Sequence, residues 1–275
     1  MISTRSRIAF AALLLMICCV WAGRSAHSQT AKNAPEVFAK MLATYEHAGS
    51  YEDNGEMRVL PNAKSILDDN TRRAKPLVLF RTFFEKPQLF RFDWLNRLTK
   101  TSRESAIWSD GQEHCIWALD RVTPDDRFNF ERKRDFDFLV DRAVKPSNGT
   151  ILTIPGLLIP TLRPYTFADV IRDLSEAKII KEQFVDGEMC YVISAKASND
   201  PWVFWIGKRS FLLRKMRSVL ASGSFDEGRG RRPSKRVIAE EVHRHIEINR
   251  TVDPEVFHYK PRILARDTDL TKEPL

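Results

Sequence analysis

Between Val78 and Trp94 the large apolar residues fall on every second position. Val78, Phe80, Thr82 and Phe84 precede Pro87, and Phe90, Phe92 and Trp94 follow it, with Arg91 and Asp93 in the gaps. A period of two is a strand with one dry face and one wet face. A parallel sheet, covered on both faces, would read as unbroken apolar runs, so this pattern demands an antiparallel sheet. Further strand runs are expected at Tyr51–Leu60, 105–108 and 114–119. Others flank the turn signals Asp186-Gly187 (177–184 and 189–195) and Gly207–Ser210 (202–206 and 211–219). At 237–249, Ile238, Val242 and Ile246 are spaced by four, as a helix would have them, but Ile246-Glu247-Ile248 and the β-branched content favour a strand. The count is seven to ten antiparallel strands.

Four segments break the period. Residues 35–47 carry Val37, Phe38, Met41, Leu42 and Tyr45 at helical spacing, with Pro35 and Glu36 suited to a first turn and Gly49 to the end. Phe136, Leu139, Val140 and Ala143 suggest a short helix inside the charged stretch 130–144. Residues 150–164 form the most apolar internal segment, interrupted by Pro155, Pro160 and Pro164, which forbid a long regular element. A helical turn with Phe167, Val170, Ile171 and Leu174 follows. A sheet with helices on one face is an α+β arrangement.

The first 28 residues belong to targeting. Arg5 and Arg7 precede an apolar run from Ile8 to Val20, and Ala26-His27-Ser28 places small residues before Gln29. These are the three parts of a secretory signal peptide, and the apolar run is shorter than a spanning helix needs. Without those residues the formal charge falls from +8 to +5, because three arginines leave with them. The expected organisation is a signal peptide at 1–28, one domain at 29–265 and a polar tail at 266–275, in the periplasm and not integral to a membrane. Cys115 and Cys190 then remain, either as a disulfide or as two separate buried thiols; their spacing does not choose.

No catalytic engine is legible. Nucleotide-binding glycine loops, HExxH and the GxSxG elbow are all missing from the 275 residues. His243 and His245, with Glu241 and Glu247, could share a strand face, but two imidazoles alone do not make a metal site, and a solvated strand surface is expected there. Arg229, Arg231, Arg232, Lys235 and Arg236 lie in a Gly- and Ser-rich stretch and read as a solvated basic loop, without a nucleic-acid partner. No cofactor, metal or enzymatic activity is expected.

Several segments in order carry a resemblance. They are the helix ending near Tyr45, Tyr51-x-Asp53-x-Gly55, FRTFFEKPQLFRF from Phe80, Trp108-x-Asp110-Gly111 and IPGLLIP. Gly187-x-x-Cys190, WIGKRSFLLRKM from Trp205 and IEINRTVDPEVFHYKP from Ile246 continue the series. Over roughly 35–261 the chain resembles the LolA/LolB-like superfamily of periplasmic proteins, and within it a domain of unknown function related to the outer-membrane lipoprotein carrier and to an envelope-stress sensor. The resemblance implies an unclosed, strongly curved antiparallel β-barrel with helices covering its concave face and an apolar cavity between. The chain is longer than the carriers, with 121–142 and 222–235 as additions. Arg81 is the candidate for the carriers' cavity arginine.

Two functions follow as expectations. The first is a periplasmic carrier or binding protein for a lipid, acyl chain or other apolar ligand, monomeric. Its cavity would be lined by Phe80, Phe84, Phe90, Phe92, Trp94, Trp202 and Phe204; the alternative is that these rings fill a solid core. Its lid would be Val37, Phe38, Met41 and Leu42 together with Ile154, Leu157, Leu158 and Ile159, because these are the most apolar non-strand segments available to cover the sheet. The second is an envelope regulatory or scaffolding module that binds another exported protein through its surface. The exported chain should start at Gln29; N-terminal sequencing that still finds residues 1–28 would overturn the cleavage site.

Overall fold

The computed structural model describes residues 33–60, 65–68, 74–97, 103–112, 114–118, 129–133, 140–141, 143–145, 147–159, 166–221 and 236–258. The expected signal peptide, basic loop and polar tail lie outside the described residues. The described strands are β1 (Ser50–Leu60), β2 (Val78–Glu85), β3 (Leu89–Asn96), β4 (Arg103–Asp110), β5 (His114–Ala118) and β6 (Asn129–Lys133). After a helical interval come β7 (Ser175–Val185), β8 (Glu188–Ala197), β9 (Asp200–Gly207), β10 (Leu213–Ala221) and β11 (Arg236–Ile248). They form one antiparallel sheet in the order β6-β5-β4-β3-β2-β1-β11-β10-β9-β8-β7. The sheet is not closed. Every neighbour is also a sequence neighbour except β1 and β11, which join two meanders.

Ten of the eleven described strands coincide with the expected runs, including β11, where strand prevails over the four-residue spacing. The eleventh corrects the sequence reading. Asn129–Lys133, which the sequence reading does not include as a strand, pairs with β5; of the short helix expected around Phe136, Leu139, Val140 and Ala143, residues 140, 141, 143 and 144 are helical. A charged sequence suits a sheet edge, where it discourages further pairing.

The register fixes which side chains share a face. Gly55 sits opposite Phe80, Asp53 opposite Thr82 and Tyr51 opposite Phe84. Thr82 in turn meets Phe92, and Phe80 meets Trp94. On the other side of the seam, Met57 pairs with Glu241, Glu241 with Met216 and Met216 with Phe204. Tyr51, Asp53, Gly55, Phe80, Phe92, Glu241 and Phe204 therefore belong to one continuous face.

Helices pack on that face. In α1 (Ala34–His47), Asn33 Oδ1 accepts from the Glu36 N–H at 2.9 Å, and Val37, Phe38, Met41 and Tyr45 are buried. The Phe38 ring stands edge-on to Phe204 at 5.3 Å. The proline-broken segment makes a 3₁₀ turn, Thr150–Leu152, and a short helix, α2 (Ile154–Leu158), with Pro155 in its first turn. There the missing N–H costs no hydrogen bond. Next comes α3 (Phe167–Arg172), opened by a reciprocal pair of hydrogen bonds between Thr166 and Asp169. Gly156 is needed where α2 crosses α3, since a Cβ there would lie 2.9 Å from the Phe167 nitrogen.

The opposite face is drier than a half-wet sheet should be. Cys190, Val192, Val203 and Trp205 cluster there against Ile66, Ile180 and Val185. Beside them Arg217, 1% exposed, pairs with Glu240 at 2.7 Å and donates to the Ile66 and Asp68 carbonyls. A second cluster holds Phe83, Val252 and Phe257. The disulfide reading is corrected here. Cys190 is a free, buried thiol on β8, near one edge of the sheet, while Cys115 sits on β5 near the other. Burial pushes the Cys190 thiol up to about 12, which leaves it unreactive.

Gly55 is the most crowded of the described glycines. A Cβ on it would lie 2.0 Å from Phe80 Cζ, because the Phe80 ring lies across the glycine. Gly55→Ala should cost about 1–3 kcal/mol through overpacking, and much less in a Phe80→Leu background. Denaturant unfolding of the four proteins checks this, and an equal cost in both backgrounds would refute it.

Candidate functional site

A cavity of about 230 Å³ lies between the sheet and its helical cover. Met57 of β1, Trp202 of β9, Met216 and Ser218 of β10, and Ala239 and Glu241 of β11 form the sheet wall. Asn148, Gly149, Leu152 and Thr153 form one side of the cover, and Thr166, Phe167 and Val170 form the other. The Trp202 ring packs on Phe167 at 6.1 Å, so β9 and α3 meet at one end of the cavity.

One wall is charged. Along β11, Ala239, Glu241 and His243 point to the same side, and the pairing of Gly55 with His243 places the imidazole beside the Phe80 ring at 5.5 Å. His243 Nδ1–H donates to Asp53 Oδ2 at 2.8 Å, and the Tyr51 hydroxyl donates to the same oxygen at 3.0 Å. On the cavity side, the Thr153 hydroxyl donates to Glu241 Oε2 at 3.2 Å. His243 Nε2 lies 3.2 Å from Glu241 Oε1 as an ion pair, but off the line a hydrogen bond requires. Asp53 Oδ1 and Glu241 Oε1 make no hydrogen bond. The relay Tyr51–Asp53–His243–Glu241–Thr153 thus runs from the core to the cavity wall.

Burial opposes charge on the imidazole, but the hydrogen bond to Asp53 and the neighbouring Glu241 carboxylate prevail and raise His243 to about 9. Burial also raises the Glu241 carboxyl above its ordinary value and the Tyr51 phenol well above its own. Four buried ionisable groups on one sheet face, Tyr51, Asp53, His243 and Glu241, are a costly arrangement that functional sites often retain.

The expected cavity residues divide unequally. Trp202 lines this cavity. Phe80, Phe84, Phe90, Phe92, Trp94 and Phe204 do not; each is 3% exposed or less, and the rings pack on one another, Phe80 on Phe92 at 5.6 Å and Phe92 on Trp94 at 5.7 Å. For them the solid-core alternative describes the packing. Among the expected lid residues, Val37, Phe38, Met41, Ile154, Leu157 and Leu158 are buried and Leu42 and Ile159 half-buried, yet none faces this cavity. Its cover comes instead from the turn before α2 and from α3 with its cap Thr166. Arg81 faces away from the Phe80 side, where its Nε donates to Asn54 Oδ1 at 3.1 Å.

The strand face carrying His243 and His245 is corrected as well. Glu52 pairs with Glu247 but Asn54 with Arg244, so β11 bulges by one residue, with His245 at φ +51°. The bulge turns His245 and Glu247 out to solvent and leaves His243 and Glu241 buried.

No family model matches the sequence, and no curated protein does. Among solved structures, the chain is similar to the Mycobacterium tuberculosis lipoprotein LppX, at 10% identity and a TM-score of 0.41 over 80% of this chain and 98% of that one. It is also similar to a LolA superfamily protein of Nitrosomonas europaea, at 13% identity and a TM-score of 0.30 over 82% and 98%. A third likeness is to Pseudomonas aeruginosa MucB, solved with MucA, at 10% identity and a TM-score of 0.34 over 82% of this chain and 61% of that one. Overlaps of this quality carry no weight for ligand or partner.

The raised His243 pKa has a testable consequence. A folded value of about 9 against an ordinary 6.5 means that the proton favours the fold. The stabilisation, roughly 3 kcal/mol, is complete below pH 6.5 and lost as pH rises through 9. The stability gap between wild type and His243→Gln should therefore narrow from pH 6 to pH 9.5 in urea melts. A gap that stays constant would show that the folded imidazole titrates as it does in the unfolded chain.

Proposed function

We propose that the protein is a non-enzymatic binding or carrier protein of the periplasm that holds an apolar ligand between a curved sheet and its helical cover. The observation that carries this is the cavity of about 230 Å³, walled by Met57, Leu152, Phe167, Val170, Trp202 and Met216. An apolar ligand in such a recess removes its walls from water, which is favourable at roughly 25 cal/mol per Å² of apolar surface covered. The volume is below the range of about 300–1,000 Å³ usual for drug-sized ligands, which favours one acyl chain or a small ring over a multi-chain lipid. The export signal in the sequence supports the compartment, and no helix among the described residues is long and apolar enough to cross a membrane.

A second reading, an envelope module that binds another exported protein, is favoured by one feature. Phe184 and Met189, cross-strand partners at the β7–β8 turn, are 65% and 43% exposed beside an edge strand. Such apolar side chains next to an open edge suit strand addition or a small docking patch.

Ala239 lines the cavity where a larger side chain would fill it. Calorimetric titration with 1-octanol should show one binding site in wild type and none in a folded Ala239→Phe variant. Phe92→Trp, placed in the packed ring block, should leave binding intact and cost about 1–3 kcal/mol of stability. Absence of octanol binding to wild type would end the carrier reading, and native mass spectrometry that finds a stoichiometric protein partner would support the second.

A further inference from the structure

An apolar ligand alone does not account for the Glu241 carboxylate in the cavity wall. The side chain is 5% exposed, and burying a carboxylate is expensive unless its oxygens are satisfied. Oε2 is held by the Thr153 hydroxyl; Oε1 lies 3.2 Å from His243 Nε2 without the alignment of a hydrogen bond, and the residue lines the cavity. The charges are also unequal. Asp53 and Glu241 are two carboxylates around one imidazole, so even with His243 protonated the cluster carries an excess negative charge. The remaining polar lining, Asn148, Thr153, Thr166 and Ser218, is neutral. The Asp53 carboxylate lies behind His243, bound through Oδ2 to the imidazole and to Tyr51, so Glu241 is the acidic group among the lining residues.

We propose that the cavity selects a ligand with a proton-donating head, an amine or a hydroxyl, on a short apolar body, and that this head donates to the Glu241 carboxylate. The inference rests on the cavity being a binding site and adds the chemistry of the ligand's polar end. In a low-dielectric pocket an ammonium or hydroxyl completes the hydrogen bonding that Thr153 leaves unfinished. A ligand ending in a carboxylate meets a like charge there and is excluded. His243, held by Asp53, positions the carboxylate and offsets part of its charge. The size of the body follows from the volume: about 230 Å³ accommodates roughly eight groups of the ~30 Å³ that a water molecule occupies in the liquid.

Octylamine, 1-octanol and octanoate share one chain and differ only in the head, so calorimetric titration of wild type with all three at pH 7 tests the inference. Octylamine and octanol should bind at least about tenfold more tightly than octanoate, the range expected for a hydrogen bond to a buried charge. Glu241→Gln, whose side chain carries an N–H donor in place of one carboxylate oxygen, should close that gap by weakening octylamine and admitting octanoate. If octanol binds wild type but octanoate binds as tightly as octylamine, the head-group inference is overturned while the cavity reading stands. If none of the three binds, both fall together. Because the wild-type series is decisive by itself, a variant that fails to fold does not rescue the proposal.

Discussion

The pairing of β1 with β11 is the one long-range strand contact on which the sheet depends. Each meander can assemble from hairpins, but neither buries its inner face without the other, because the aromatic block sits on β2–β3 and its continuation on β9–β10. The seam is held by more than ladder hydrogen bonds. Asp53 and His243 bond across it, the Asn249 side chain accepts from the Gly49 N–H at 2.7 Å, and Gly55 leaves room for the Phe80 ring to reach the imidazole. A side chain at residue 55 would force these rings apart, so the missing Cβ and the buried charge cluster are parts of one arrangement.

The same seam explains why the cavity lies where it does. Its sheet wall runs from β1 across β11 and β10 to β9, over the stretch where Met57, Ala239, Ser218 and Met216 replace the large rings found on β2 and β3. Large rings fill the N-terminal half solidly, and smaller side chains with one carboxylate leave space in the C-terminal half. α1 lies over β9, with Phe38 against Phe204, and the 3₁₀ turn before α2 together with α3 covers the open volume. Rigid packing on one side supports the empty volume on the other.

Much of this was legible in the sequence, and the reasons for the exceptions are physical. Period-two aromatics on β2 and β3 and the Asp186-Gly187 turn between β7 and β8 are local signals, and they placed strands within a residue or two. β11 was ambiguous because both of its faces are buried: Ile238 and Val242 serve one side, Ala239, Glu241 and His243 the other, so apolar spacing mimicked a helix. The bulge at His245 has no short-range signature. The charge cluster was hidden for a different reason. Asp53 and His243 are 190 positions apart, and only the seam brings them together. A hint existed in the polar residues at alternate positions of otherwise buried strands, Tyr51-x-Asp53 and Glu241-x-His243, which a sheet face does not spend without a partner. The aromatic block was legible as a face, whereas its being solid depended on packing that no residue pattern records.

A chain that completes its sheet by joining an early strand to a late one has an order of events imposed on it during synthesis. β1 acquires β2 soon after it is made, but its other edge stays open until Arg236–Ile248 has been added. At about 5–20 residues per second this delay is on the order of ten seconds or more, during which a strand edge and the apolar face beside it lie exposed to other chains. The length of that exposure is set by where β11 lies in the sequence, and not by how firmly the seam holds once it has formed.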